Sequence, residues 1–334
     1  MFQKITLRRG FSPFRIVRYF TFAATVMTLC AGAQAAWPER PIRWIVPAAA
    51  SGGSDAAARV IADQLSRRLG QPIVIDNKPG ASGAIGLDAI AKSAPDGYTI
   101  GTANITNFVL NRQLRSSLPF NPDRDFLPIA KLTNQPNVLV INNSVPAKNL
   151  KDFIALIKSK PGELFYGSSG SGSSMHVAAV SLSQASGLNM VHIPYKSSPA
   201  ANTDLMGGSI QVMIDNLSTL APSIRAGKVR ALAVTAPKRS TVLPDVPTMA
   251  EAGGPDIQML AWGGVVAPAG VPQPIVKKLS DEIIAVLAMP DVRAKLTEMG
   301  YEIDPQGPAA FGELIVRENV RWGQVIRKGN IKPD

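Results

Sequence analysis

Thiol chemistry is nearly absent from this sequence. Its 334 residues include a single cysteine, Cys30, which lies inside an N-terminal stretch that reads as a removable export signal. Without that stretch the chain has no disulfide, no thiolate metal site and no cysteine nucleophile. Histidine is almost as scarce, with only His176 and His192. No H-E-x-x-H or comparable spacing joins them to carboxylates, so neither a metal nor any other cofactor is expected. No G-x-x-x-x-G-K-[ST] is present, and no G-x-G-x-x-G follows a strand, which removes the usual nucleotide-binding turns. The Ser-rich stretch contains no G-x-S-x-G: Ser169 has Gly167 two residues before it but Ser171 two after. A nucleophile elbow is therefore not supported. No Lys/Arg run interleaved with aromatics points to nucleic acid.

The N-terminus carries a basic start, an apolar stretch from Tyr19 to Leu29, and small residues ending in Ala33-Gln34-Ala35. This is the pattern of an export signal, residues 1–35, cleaved near Ala35/Ala36. The apolar stretch is too short to span a membrane. Arg8-Arg9-Gly10-Phe11 leaves both the general and the twin-arginine routes open. Met27-Thr28-Leu29 before Cys30 do not suit a lipid-anchored cysteine. Five of the net +11 charges sit in this segment, so the remainder is modestly basic at +6.

What the sequence does contain is alternation. Apolar runs suited to strands (42–46, 73–75, 98–103, 137–141, 164–166, 190–193, 210–214, 229–235, 262–267) are separated by helical patterns (55–69, 85–92, 150–158, 174–186, 200–206, 217–226). Three more helical patterns close the chain at 275–287, 291–299 and 309–326. Residues 111–136 hold several prolines and little periodicity, and read as an irregular crossing. The alternation predicts an α/β protein with mostly parallel sheets and flanking helices. Two lobes are expected: 37–138 plus 260–334, and 139–259.

Two stretches stand out. Pro47-Ala-Ala-Ala-Ser-Gly-Gly-Ser-Asp55 joins a strand to a helix, with Ser54 or Asp55 able to cap the helix and Gly52 and Gly53 leaving backbone open beside its first N–H groups. Gly167-Ser-Ser-Gly-Ser-Gly-Ser-Ser-Met-His176 does the same further on. A helix start at a strand's carboxyl end is a ready anion site, so two such loops facing one another would grip the carboxylate of a small ligand. The alternative is a pair of ordinary strand-to-helix turns, where Gly and Ser are common. Ser51, Ser54, Ser168, Ser169, Ser173 and Ser174 offer hydroxyls. Asp55 either caps the helix and ties the loop or touches the ligand. Asp215, closing the apolar run Val212–Ile214, either binds an amine or hydroxyl or anchors a neighbouring loop. His176 orients its loop, and Lys196 suits solvated surface.

These motifs, in this order, resemble the Bug family of periplasmic solute-binding proteins, receptors of tripartite tricarboxylate transporters. The resemblance is carried by Trp37–Ile42, Pro47–Asp55, Gly70–Gly80, Ala94–Tyr98, Gly167–His176, His192–Lys196, Asp215–Leu217, Lys228–Val234 and Leu243–Thr248, and it covers residues 37–327. It implies a two-lobe, type II periplasmic-binding fold whose cleft closes on a small carboxylate by a hinge motion. It places ligand contacts at Ala49, Ser51, Gly52, Ser54, Asp55, Ser168, Ser169, Ser173, Ser174 and His176, with Asp215 on the far side. The partners it implies are a small carboxylate and the permease subunits of the inner membrane, with the receptor a monomer. Ala48 stands where the family usually has an aromatic residue, and Ser51 and Ser197 where it usually has glycine. Two other readings are weighed against transport: presentation of ligand to a signalling partner, and a secreted hydrolase built on Ser174 and His176, which lacks a third member.

Overall fold

The computed structural model describes residues 37–115, 117–255 and 257–331. The expected export signal and Cys30 lie outside the described residues. Ten strands form one continuous sheet in the order β2-β1-β3-β9-β4-β7-β5-β6, with β10 and β8 also paired to β4. The strands are β1 Ile42–Val46, β2 Ile73–Asn77, β3 Thr99–Asn104, β4 Phe126–Asn142, β5 Phe165–Ser168, β6 Val191–Pro194, β7 Val212–Asn216, β8 Val229–Val234, β9 Leu260–Pro268 and β10 Glu302–Gln306.

β4 serves two lobes. Its first part, Phe126–Pro136, pairs with β9, and residues 131–134 also pair with β10. From Asn137 onward it pairs with β7 on one side and β8 on the other. The two lobes are parts of one compact unit, Arg40–Asp334. Parallel pairing is confined to the flanks, β2–β1–β3 and β7–β5–β6. The pairings through β4 and β9 are antiparallel. The expectation of mostly parallel sheets thus holds where strand and helix alternate and fails at the centre, where strands enter from the other lobe running the opposite way.

The stretch 111–136 is not wholly an irregular crossing. It starts with α3 (Asn111–Leu114), the tail of a π-helical segment Ile105–Leu110, and β4 begins at Phe126, eleven residues before the expected start. Pro128 obscured it, since proline cannot donate to a ladder; here the register shifts between Pro128 and Ala130 and again between Lys131 and Thr133. Bulges accommodate the missing donor inside a strand.

The helices form where apolar residues recur every three or four positions. α1 (Gly53–Leu69) buries Ala57, Ala58, Ile61, Leu65 and Leu69 and stops at Gly70, whose φ of 69° is left-handed. α2 is Ala84–Ala91, α4 Leu150–Ser159, α5 Ser174–Ser186, α6 Ser198–Gly207 and α7 Leu217–Arg225. α8 (Gln273–Ala288), α9 (Pro290–Glu298) and α10 (Pro308–Gly329) complete the chain. α10 sends Phe311, Ile315, Trp322 and Ile326 into the main core. Each such side chain contributes about 1.5–3 kcal/mol by leaving water.

β10 was missed from sequence because Glu-Ile-Asp-Pro-Gln carries charge and a proline. The pairing explains the charge. Lys131 on β4 has a 3% exposed side chain and is ion-paired with Asp304 of β10, which also accepts from Asn134 Nδ2 at 3.0 Å. Burial pulls the lysine below its ordinary pKa, and Asp304 opposes that pull. Removing Asp304 strands the buried charge of Lys131, while replacing the lysine by an apolar isostere leaves only a carboxylate that water still reaches. Asp304→Ala should therefore cost about 2 kcal/mol, because Asp304 is partly solvated, and Lys131→Met less than about 1 kcal/mol. Urea denaturation of the two variants and the double variant checks this: the double variant should recover most of the loss seen in Asp304→Ala.

Candidate ligand site

The first loop leaves β1 at Val46 and enters α1 at Gly53. Gly52 is the N-cap, in extended backbone (φ −77°, ψ 165°) with no side-chain cap, so neither Ser54 nor Asp55 occupies the cap position. Asp55 sits in the first turn, 2% exposed. It accepts the Ser51 N–H at 2.8 Å, Arg59 Nε at 3.0 Å and Asn77 Nδ2 at 3.0 Å. Burial raises its pKa, but these donors outweigh burial and hold the carboxyl below its ordinary range. Asn77 also donates to Ala48 O at 3.2 Å. Asp55 is thus committed to holding the loop. Ser51 stands in left-handed backbone, with φ 64°, and both it and Ala49 are exposed.

The second loop leaves β5 at Ser168 and enters α5 at Ser174. Gly170 and Gly172 supply the positive φ angles, 110° and 77°, that turn the chain. Ser173 caps α5, its Oγ accepting the His176 N–H at 3.3 Å. Ser168 is fully buried; its Oγ donates to Gly170 O at 3.0 Å and lies 2.7 Å from His192 Nε2. His176 Nδ1 accepts the Gly172 N–H at 3.0 Å. Its ring stacks on His192 at 4.0 Å between centroids, and His192 stacks in turn on Tyr166 at 4.9 Å. Ser168 and His176 are thus each hydrogen-bonded to the backbone of their own loop.

Two adjoining cavities lie between the lobes. The inner one has a volume of about 110 Å³ and the outer about 550 Å³. Asn104, Thr106, Ser174 and Asn216 line both. Ser54 lines the inner cavity, while Pro47, Ala48, Ser169 and Ser173 line the outer. The two loops singled out from sequence thus meet at one cleft. Ala49, Ser51, Gly52, Asp55, Ser168, His176 and Asp215 do not line either cavity. Asp215 is fully buried at the end of β7; its Oδ1 accepts the Asn216 N–H at 2.5 Å and its Oδ2 has no hydrogen-bond partner. Burial pushes this carboxyl up to about 7, against the pull of the Asn216 N–H and the Ser198 hydroxyl.

Sequence reading missed several walls of the cleft. Asn104 and Asn107 clasp the π-helical start reciprocally, Asn104 N–H to Asn107 Oδ1 at 2.8 Å and Asn107 N–H to Asn104 Oδ1 at 2.9 Å. π-helical turns gather at functional sites, and the N-x-x-N spacing was the available signal. Pro79, Gly80, Ser82 and Gly83 line the outer cavity. Residues 80–83 have φ of 117°, 49°, 52° and 91°, a left-handed turn that two glycines three apart permit. Thr133 and Gln135 of β4, Trp262 of β9 and Tyr301 line the inner cavity. Among the described residues no group of three or more His, Cys, Asp or Glu is placed to hold a metal ion. No helix among them is long and apolar enough to cross a membrane.

Residues 57–331 match the model of the tripartite tricarboxylate transporter family receptor. The chain belongs to this receptor family. Protein BugT of Bordetella pertussis is 36% identical over 297 residues, covering 89% of this chain and 91% of BugT. The solved structure of R. palustris Rpa4515 with adipate is 35% identical, with a TM-score of 0.82 over 89% of this chain and all of that one. The periplasmic binding protein BugD is 32% identical, with a TM-score of 0.78 over 89% of this chain and all of BugD. Family members are substrate-binding receptors and not enzymes, which disposes of the hydrolase reading of Ser174 and His176. The receptor's departures also gain a physical meaning. Ser51 occupies a left-handed conformation that glycine adopts freely. Ala48 lines the outer cavity, so the lack of a large side chain widens that wall. Ser197 is extended (φ −160°) and demands no glycine.

Two measurements follow from this geometry. Left-handed backbone costs an ordinary residue roughly 1–2 kcal/mol, partly offset by glycine's greater freedom when unfolded. Ser51→Gly should raise the melting temperature slightly, whereas the β-branched Ser51→Val should lower it by several degrees. For Asp215, the folded protein keeps the proton up to about pH 7 and the unfolded chain releases it near 3.8. The folded state binds more protons between those values, so the group's contribution is present at low pH and falls as pH rises through this window. Asp215→Asn should remove that fall. Its stability relative to wild type should improve between pH 5 and pH 8, by at most about 1.4 kcal/mol per unit within the window, measured by chemical denaturation at both.

Proposed function

We propose that this protein is a periplasmic receptor that captures a small carboxylate between its lobes and hands it to the permease subunits of a tripartite-type transporter. The observation that carries this reading is the convergence of two Gly/Ser loops, each opening a helix, on one cleft. Ser54 at the start of α1 and Ser174 at the start of α5 line the same cavity. The first N–H groups of a helix have no intrahelical acceptor and carry a partial positive charge, so two helix starts stabilise an anion without a cation. Ser51, Gly52 and Ala49 shape the first grip, Ser168, Ser169, Ser173 and His176 the second, with Asp55 and Asp215 supporting the loops from behind. A relative of this fold binds adipate, a small dicarboxylate.

The mechanism is closure. One lobe comprises residues 37–138 plus 260–334 and the other residues 139–259, joined where β4 changes partners and where β9 begins. A ligand that touches both lobes only when they approach shifts the open–closed equilibrium, and the closed surface is what the permease reads. The protein acts as a monomer, exported by its first 35 residues and cleaved near Ala35/Ala36.

Ser174→Asp tests the grip. An acidic residue in the first turn suits a helix, so the fold tolerates it, but it sets an anion where the ligand's carboxylate belongs. A saturating carboxylate, at ~100 times its dissociation constant, stabilises wild type by roughly 2.7 kcal/mol and shifts its melt by a few degrees. Ser174→Asp should melt within a few degrees of wild type and show no such shift. An unchanged ligand shift in this variant would remove the grip.

A further inference from the structure

The two cavities differ in charge. No Asp, Glu, Lys, Arg or His lines the inner one, where Ser54 and Ser174 open their helices. The outer cavity, about 550 Å³, is also lined by neutral residues except at one place, Arg115. This residue follows directly on α3, at the end of the segment that the Asn104–Asn107 clasp begins. Its N–H donates to Asn111 O at 3.0 Å, and Asn111 Nδ2 donates to Ser82 O at 2.8 Å. The backbone that carries Arg115 is therefore tied to the left-handed turn in the outer cavity's wall. Leu114, one residue earlier, lies against the second Gly/Ser loop: a Cβ on Gly172 would stand 2.6 Å from Leu114 Cδ1. Arg115 is thus held where the two loops' lobes approach.

Its charge is uncommitted. Arg112, Arg115 and Arg124 together border the open surface beside residues 117–122. Arg112 is ion-paired with Asp123, and Arg124 with Asp125. Among the described residues Arg115 has no ion pair, and it is the one of the three that also lines the cleft. A cation after a helix's last turn suits the dipole, which accounts for an arginine at this position but not for its place on the cavity wall. Arginine presents paired, planar donors that match a carboxylate. Asn104, Thr106, Ser174 and Asn216 line both cavities, so a ligand seated at the inner helix starts extends into the outer cavity without crossing a barrier of charge. An uncharged far end would leave Arg115 to water; an anionic one gives it a partner.

We propose that Arg115 receives the second anionic group of a ligand with two acidic ends, whose first carboxylate lies at Ser54 and Ser174. The inference rests on the reading of the Gly/Ser loops as the grip for that first carboxylate. It makes Arg115 the residue that selects dianions over monoanions, and it makes the span from the inner cavity to Arg115 the gauge of ligand length.

The test uses the purified protein, stripped of trapped ligand by unfolding and refolding, and titration calorimetry. The straight-chain diacids from succinate to pimelate are each compared with their half-amide and their diamide. At the best length the diacid should bind about tenfold more tightly than its half-amide, the low end for charge-assisted hydrogen bonds. Arg115→Gln should remove that preference by weakening the diacid, and leave the half-amide within about twofold of wild type. Arg112→Gln removes an equal charge from the same segment but not from the cleft wall, and should keep the wild-type ratio. The inference is overturned if no diacid binds, if the half-amide matches its diacid at every length, if the preference survives Arg115→Gln, or if Arg112→Gln abolishes it equally. A diamide that matches its half-amide, or an Arg115→Gln that weakens diacid and half-amide alike, would overturn the Ser54–Ser174 grip instead.

Discussion

The backbone of β4 is the constraint on which the rest depends. Its 17 residues, Phe126–Asn142, hydrogen-bond to neighbours on both sides for much of its length, and the neighbours change at Pro136 and Asn137. The lobes are therefore united through one strand whose N–H and C=O groups point alternately to partners on its two sides. The cleft is a consequence. Thr133 and Gln135, which line the inner cavity, lie immediately before the switch, and Asn216, which pairs with Asn137 immediately after it, lines both cavities. The two Gly/Ser loops reach the same cleft, through Ser54 on one side and Ser169, Ser173 and Ser174 on the other.

The polar residues of those loops divide the labour in a way that strand and helix geometry explains. Ser54, Ser169, Ser173 and Ser174 face the cleft, while Asp55, Ser168 and His176 hold the loops against the body of the protein. The same split occurs at the end of β7. Successive side chains on a strand point to opposite faces, so Asn216 reaches the cleft and Asp215 turns toward α6, where the Ser198 hydroxyl acts on it. Fixed neutral donors with buried charges kept behind them give an inner cavity lined by no charged side chain, while Arg115 brings a cation to the wall of the outer one.

Much of this was legible in the sequence. Period and punctuation marked the flanking strands and helices to within a few residues, and α5 to the residue, because apolar spacing and Gly stops are local signals. The two loops were found for the same reason. What was not legible depended on partners far along the chain. β10 and the first part of β4 read as charged, proline-bearing coil until Lys131 and Asp304 are seen to neutralise one another. Asp55 and Asn77 are 22 residues apart, and nothing local tells that the second donates to the first. Trp262 and Tyr301 belong to the tail of the chain, and their place on the inner cavity follows from β9 lying between β3 and β4.

The left-handed turn at residues 80–83 links these levels. Ser82 O accepts Asn111 Nδ2 at 2.8 Å, which ties the turn to the segment following the π-helical stretch. A Cβ on Gly83 would stand 2.8 Å from the Asn107 Cβ and 3.3 Å from the Pro47 Cβ, and one on Gly86 would stand 2.7 Å from the Pro47 Cβ. Glycine at these two positions is what lets the first loop, the left-handed turn and the Asn104–Asn107 clasp pack directly on one another. Left-handed backbone at Ala81 and Ser82 carries a cost of about 1 kcal/mol or more each, and it persists because three neighbouring segments hold it from different sides. The wall of the outer cavity is thus a mutually braced set of turns, rigid enough to present fixed donors, while the opposite wall at Ser169–Ser174 belongs to the strand and helix of the other lobe.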